Sequence, residues 1–86
     1  MDNNDAVIEV LKDIAGELYN GNTNAGISQM GNVLGDLLNY TEQMADDERE
    51  EFVTEVLKPL LDAMERKDAI EMADIITYEL IEKINK

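Results

Sequence analysis

Apolar residues recur at intervals of three and four along most of the chain, and this pattern predicts four amphipathic helices. We expect the helices to span residues 4–19, 23–44, 47–66 and 69–84. No segment alternates apolar and polar residues for long, so no strand is predicted. The third apolar stripe keeps its phase across Pro59, which favours a kinked helix over a broken one.

The two halves of the chain resemble each other when one is shifted by 46 residues. The shift aligns two identical segments, Glu9-Val10-Leu11-Lys12 and Glu55-Val56-Leu57-Lys58. It also aligns Asn22, the predicted cap of the second helix, with Asp68, the predicted cap of the fourth. A single helical hairpin buries little apolar surface, so the two copies must pack together. The sequence therefore predicts one all-α domain over residues 1–86, a four-helix bundle of two αα-hairpins at 4–44 and 47–85.

The inward-facing positions of the four stripes define the expected core. It comprises fourteen residues: Val10, Leu11, Ile14, Leu18, Met30, Leu34, Leu38, Val56, Leu57, Leu60, Leu61, Met64, Ile76 and Leu80.

Composition narrows the chemistry that this fold can perform. The chain has neither cysteine nor histidine, so we expect no catalytic residue, no cofactor site and no metal site. Its net charge of −13 repels nucleic acid and anionic membranes and favours basic partners. The N-terminal stretch is acidic and no apolar run is long enough for a membrane span, so a cytoplasmic location is expected.

The segment Tyr19-Asn-Gly-Asn-Thr-Asn-Ala-Gly26 has alternating asparagines that invite comparison with a calcium loop. It contains no carboxylate, and the positions that such a loop reserves for glycine and glutamate hold Ala25 and Gly31. The corresponding corner of the second half, residues 66–72, is built from quite different residues. We therefore interpret the segment as a corner between helices.

Six residues are candidates for binding a partner, and they fall into two groups. The second helix carries two glycines one turn apart, which suggests close approach of another helix, a groove for a partner, or only a locally mobile helix. The fourth helix carries a polar group that either contacts a partner or holds a half-buried tyrosine by hydrogen bonds. The candidates are Gly31, Gly35 and Asp36 in the first group, and Asp74, Tyr78 and Glu79 in the second.

The segment Met64-Glu-Arg-Lys-Asp-Ala-Ile-Glu-Met-Ala-Asp-Ile-Ile-Thr-Tyr-Glu-Leu80 resembles the end of a group of small uncharacterised helical proteins of Gram-positive bacteria. The resemblance lies in a Lys67-Asp68 turn followed by Ala73-Asp74-x-x-x-Tyr78-Glu79-Leu80, and the Gly21-Asn22 turn is also similar. It implies a helical fold and a bacterial cytoplasmic setting, and it implies no activity.

These observations favour a non-catalytic protein that binds another protein, as an adaptor, a chaperone-like protein or a regulatory module. One alternative is an acidic decoy or inhibitor of a basic nucleic-acid-binding protein. The other is a self-associating domain, since a small bundle can bury a remaining apolar face in a homodimer.

Overall fold

A computed structural model describes the backbone of residues 3–85 and the side chains of residues 5–85. Within that part of the chain the protein forms four helices and no strand. Helix α1 spans Asn3–Tyr19, α2 spans Thr23–Glu42, α3 spans residues 46–66 and α4 spans residues 69–84. The all-α bundle of two hairpins is therefore confirmed.

The helices enclose one apolar core, and they pack unequally around it. Helix α1 packs along both α2 and α4, and α3 packs along α4. Helices α2 and α3 come close over only a short stretch. The core consists of Ile8, Leu11, Ile14, Ala15 and Leu18 of α1, Met30, Val33 and Leu37 of α2, Phe52, Val56, Leu57, Leu60 and Ala63 of α3, and Met72, Ala73, Ile76, Leu80 and Ile84 of α4.

The prediction that Val10, Leu38 and Leu61 belong to the core is wrong. Val10, Leu38 and Leu61 are 43%, 56% and 45% exposed, whereas Leu34 and Met64 are half-buried at the edge of the core. Each exposed residue is next to a buried one, such as Leu37 beside Leu38. Successive residues of an α-helix point about 100° apart, so only one member of each of these three pairs lies at the centre of the packed face.

The two hairpin corners have the same backbone, as the internal repeat predicts. Gly21 and Lys67, which are 46 residues apart, are both left-handed, with φ of 87° and 56°. The following N–H of Asn22 donates to the carbonyl of Glu17 at 2.9 Å, and that of Asp68 donates to the carbonyl of Ala63 at 2.9 Å. The left-handed Gly21 and the Asn22 hydrogen bond confirm that the asparagine-rich segment forms a corner between two helices.

The side chains at these corners differ. The Asp68 carboxylate accepts a hydrogen bond from the backbone N–H of Glu71 at 3.2 Å and caps α4. Asn22 occupies the matching cap position of α2 but makes no side-chain cap bond. Its amide donates instead to the Glu17 carboxylate at 2.9 Å.

Helices α3 and α4 each contain one π-helical turn, at Val53–Leu57 and at Ile76–Leu80. Four residues advance an α-helix about 40° beyond a full turn, so apolar residues spaced strictly by four drift away from one face. The wider π turn takes up an extra residue and cancels that drift. It keeps buried residues spaced by four in line: Phe52, Val56 and Leu60 in α3, and Met72, Ile76, Leu80 and Ile84 in α4.

The π turn of α3 ends just before Pro59, which has no N–H to donate. Leu57 and Lys58 keep helical dihedral angles, with φ of −68° and −62° and ψ of −43° and −49°. The helix therefore continues through Pro59. The distortion of the helix near Pro59 is the π turn at Val53–Leu57, which precedes the proline.

Candidate functional site

Helices α2 and α3 come close mainly near residues 46–52, where the chain passes from one to the other. On α2, Asp36 and Tyr40 line a groove together with Ala6 and Val7, so that side of α2 faces α1. The opposite side of α2 carries Ile27, Leu34 and Leu38, at spacings of seven and four. These three residues lie on the side toward α3.

On α3, the side toward α4 is marked by Glu55, whose carboxylate pairs with the Lys83 ammonium at 3.8 Å. The other side of the buried stripe carries Val53, Leu61 and Met64, and it lies toward α2. We refer to this surface as the α2–α3 seam. It consists of Ile27, Leu34 and Leu38 of α2 together with Val53, Leu61 and Met64 of α3.

The seam is apolar and only partly covered. Leu38 and Leu61 are about half exposed, at 56% and 45%, and the other four residues are half-buried against the core. The two helices are tied together where the chain passes between them. There the Arg49 guanidinium donates to the carbonyl of Thr41 at 3.0 Å and to that of Met44 at 3.3 Å. A second contact between these helices is the Tyr40 ring, which packs edge-on against Phe52 of α3 with ring centroids 6.2 Å apart. Away from these contacts, Leu38 and Leu61 stay open to solvent.

Gly31 belongs to the open flank of α2, since it lies four residues after Ile27 and three before Leu34. A Cβ atom added at Gly31 or at Gly35 would meet nothing within 4 Å, so no helix of the described chain approaches either glycine closely. The hypothesis of a close helix contact within the bundle is therefore wrong. Asp36 lies on the other side of α2, so the structure does not bring it together with these glycines.

The structure does bring Asp74, Tyr78 and Glu79 together, in a groove between α3 and α4. We refer to it as the acidic groove. It has a volume of about 370 Å³, and its lining also includes Glu55, Pro59, Glu71 and Ile75. Tyr78 is 69% exposed, so the prediction of a half-buried tyrosine at this position is wrong.

Three carboxylates of the acidic groove already have partners within the chain. Glu55 pairs with Lys83 at 3.8 Å, and Glu71 accepts a hydrogen bond from Arg66 at 2.6 Å. Asp74 accepts a hydrogen bond from the Tyr19 hydroxyl at 2.6 Å. That bond raises the pKa of Tyr19 above its ordinary value of 10.0. The internal partners reduce the negative charge that the groove presents to a ligand.

Sequence reasoning missed Leu38 and Leu61 as surface residues because it placed both in the core. A signal was present, since each is the second member of a Leu-Leu pair, at Leu37-Leu38 and Leu60-Leu61. Adjacent residues point about 100° apart, so at most one member of such a pair lies at the centre of the packed face, and the other lies toward its edge.

Other features of the described chain bear on ligands and membranes. Among residues 5–85, no group of three acidic side chains is placed to hold a metal ion. No helix among the described residues has the length and apolar character needed to cross a membrane.

The family model described as "Domain of unknown function (DUF8042)" matches residues 2–86. No curated protein and no solved structure matches the chain.

Proposed function

The chain belongs to the DUF8042 family, whose description assigns no function, and from its surfaces we propose that it is a non-catalytic protein-binding module. It acts in the cytoplasm as an adaptor, a chaperone-like protein or a regulatory component. The observation that carries this proposal is the α2–α3 seam, in which Leu38 and Leu61 stay about half exposed beside a well-filled core.

A half-exposed leucine leaves apolar surface in water that a bound protein would cover. Burying apolar area contributes about 25 cal/mol per Å², and one fully buried leucine side chain contributes about 1.5–3 kcal/mol. Single exposed apolar residues are ordinary on protein surfaces. The seam differs because two exposed leucines, Leu38 and Leu61, continue a stripe of four half-buried apolar residues on two neighbouring helices.

A second candidate function rests on the acidic groove. Its carboxylates and the exposed Tyr78 ring would suit a basic segment of a nucleic-acid-binding protein, as an acidic decoy requires. The ion pairs of Glu55 and Glu71 with bases of the same chain weaken this candidate.

Capture of partners from the native cell lysate, with washes at low and then high salt, separates the two candidates. The bait proteins are the wild type, the seam variant Leu38→Gln/Leu61→Gln and the control variant Val10→Gln/Ile70→Gln. Val10 and Ile70 are 43% and 55% exposed, so the control removes equally exposed apolar residues outside the seam.

The proposal predicts a protein that the wild type and the control retain at high salt and that the seam variant loses, because apolar contacts are not screened by salt. A protein that all three baits release at high salt would favour the acidic groove. Equal retention by all three baits would contradict binding at the seam.

A further inference from the structure

The dimensions of the seam match those of a short helix. Its apolar positions run from Ile27 to Leu38 on α2 and from Val53 to Met64 on α3, eleven residues further along the chain in each case. At about 1.5 Å per residue, each flank is about 16 Å long, or three helical turns. An amphipathic helix of that length can bury its apolar face against two neighbouring helix flanks that carry exposed leucines.

Carboxylates extend the seam at both of its ends. Glu42 lies four residues beyond Leu38, and Glu50 lies three residues before Val53 on the same stripe. At the other end, Glu65 lies four residues beyond Leu61. All three acids are exposed. Two exposed bases also lie near this stripe, Lys58 three residues before Leu61 and Lys67 three residues after Met64.

This charge pattern distinguishes between two kinds of occupant. A second copy of the chain would bring the same exposed acids against one another, on a protein with a net charge of −13. Like charges brought together across an interface cost several kcal/mol. A helix with lysine or arginine beside its apolar stripe would instead bring opposite charges to Glu42, Glu50 and Glu65.

We propose that the α2–α3 seam binds a basic amphipathic helix of a partner protein, about three turns long, with apolar residues near positions i, i+4, i+7 and i+11. This inference rests on the proposed function and specifies the partner of the same surface. Gly31 leaves a space in the α2 flank where a bulky apolar side chain of the partner helix can pack.

Three synthetic peptides of about 14 residues, a length chosen to cover three turns, test the proposal. The first has leucine in the proposed stripe with lysine beside it, and the second has the same stripe with glutamate. The third has the composition of the first in an order without a stripe. Binding is measured by fluorescence anisotropy against the wild type, Leu38→Gln/Leu61→Gln and Val10→Gln/Ile70→Gln, after circular dichroism shows equal helicity of the three proteins.

The proposal predicts that the lysine peptide binds the wild type and the control equally, and the seam variant at least about ten-fold more weakly. The glutamate peptide and the reordered peptide should each bind the wild type at least about ten-fold more weakly than the lysine peptide. Equal binding of the lysine and glutamate peptides would overturn the preference for a basic partner.

Failure of this inference can be told apart from failure of the proposed function. If no peptide binds while lysate capture still depends on Leu38 and Leu61, the partner is not an amphipathic helix, but the seam remains a binding surface. If sedimentation shows a wild-type dimer that Leu38→Gln/Leu61→Gln converts to a monomer, the occupant is a second copy. Either result overturns the inference.

Discussion

Replacing Gly26 by alanine should destabilise the bundle, whereas the same replacement at Gly31 should stabilise it. Both glycines lie inside α2, so both substitutions add one methyl group to the same helix. A Cβ atom at Gly26 would clash with Leu18 Cδ2 and lie 2.7 Å from Leu18 Cγ. Leu18 is 0% exposed, so its side chain has little room to move away.

The two variants share one energy term and differ in the other. Replacing glycine by alanine within a helix gains about 1 kcal/mol of stability. Inserting a methyl group into a packed core costs about 1–3 kcal/mol. Only Gly26→Ala incurs that cost, so it should be about 1–3 kcal/mol less stable than Gly31→Ala. For a domain of this size, each 1 kcal/mol shifts Tm by about 4–8 °C.

Urea denaturation followed by circular dichroism measures this difference. The free energy of unfolding of the wild type should lie between those of the two variants or close to that of Gly26→Ala. Gly35→Ala is a second control, because a Cβ atom at Gly35 also meets open space. If Gly26→Ala were as stable as Gly31→Ala, the close packing of α2 on Leu18 would be refuted.

Three further predictions concern the corners and the contact between α1 and α4. Asp68→Ala should lose about 1 kcal/mol of stability in urea denaturation because it removes a cap bond, whereas Asn22→Ala should lose less, since Asn22 makes no such bond. Lys67→Gly should gain up to about 1 kcal/mol in the same assay by relieving a left-handed backbone at φ of 56°; a loss would contradict this. Tyr19→Phe tests the bond to Asp74, which raises the pKa of Tyr19. Because the folded pKa is raised, the stabilisation is present below the unfolded pKa of about 10 and is lost as pH rises through the folded pKa. The stability of wild type relative to Tyr19→Phe, measured by urea denaturation from pH 8 to about 11, should therefore fall at the alkaline end.

Much of the fold could be predicted from local pattern. Each predicted helix boundary agrees with the structure within two residues, because caps and turns are set by short stretches of sequence. The 46-residue repeat predicted equivalent corners, and the matched left-handed residues Gly21 and Lys67 bear this out. Those features depend only on neighbouring residues.

The π turns were not predicted, although the sequence contains a signal for them. Apolar residues spaced strictly by four, such as Met72, Ile76 and Leu80, fit a regular α-helix poorly over three steps. Only the packing of the bundle decides whether the helix widens or lets the stripe drift. Whether a π turn forms is therefore set by tertiary contacts, and it cannot be predicted from local helix propensity.

The candidate surfaces were predicted only in part. The grouping of Asp74, Tyr78 and Glu79 follows from helical spacing, and the structure places all three in one groove. Each Leu-Leu pair indicates that one of its members lies off the centre of the packed face, but which member is exposed depends on how α2 and α3 pack. The apolar spacing alone therefore assigns Leu38 and Leu61 to the core.

Nuclear magnetic resonance of the ¹⁵N-labelled wild type, titrated with the lysine-flanked peptide, shows directly whether the α2–α3 seam is the binding surface. We expect the largest changes in amide chemical shift at residues 27–38 and 53–64, the two flanks of the seam. Changes concentrated in residues 71–79 would place the binding site in the acidic groove and contradict binding at the seam.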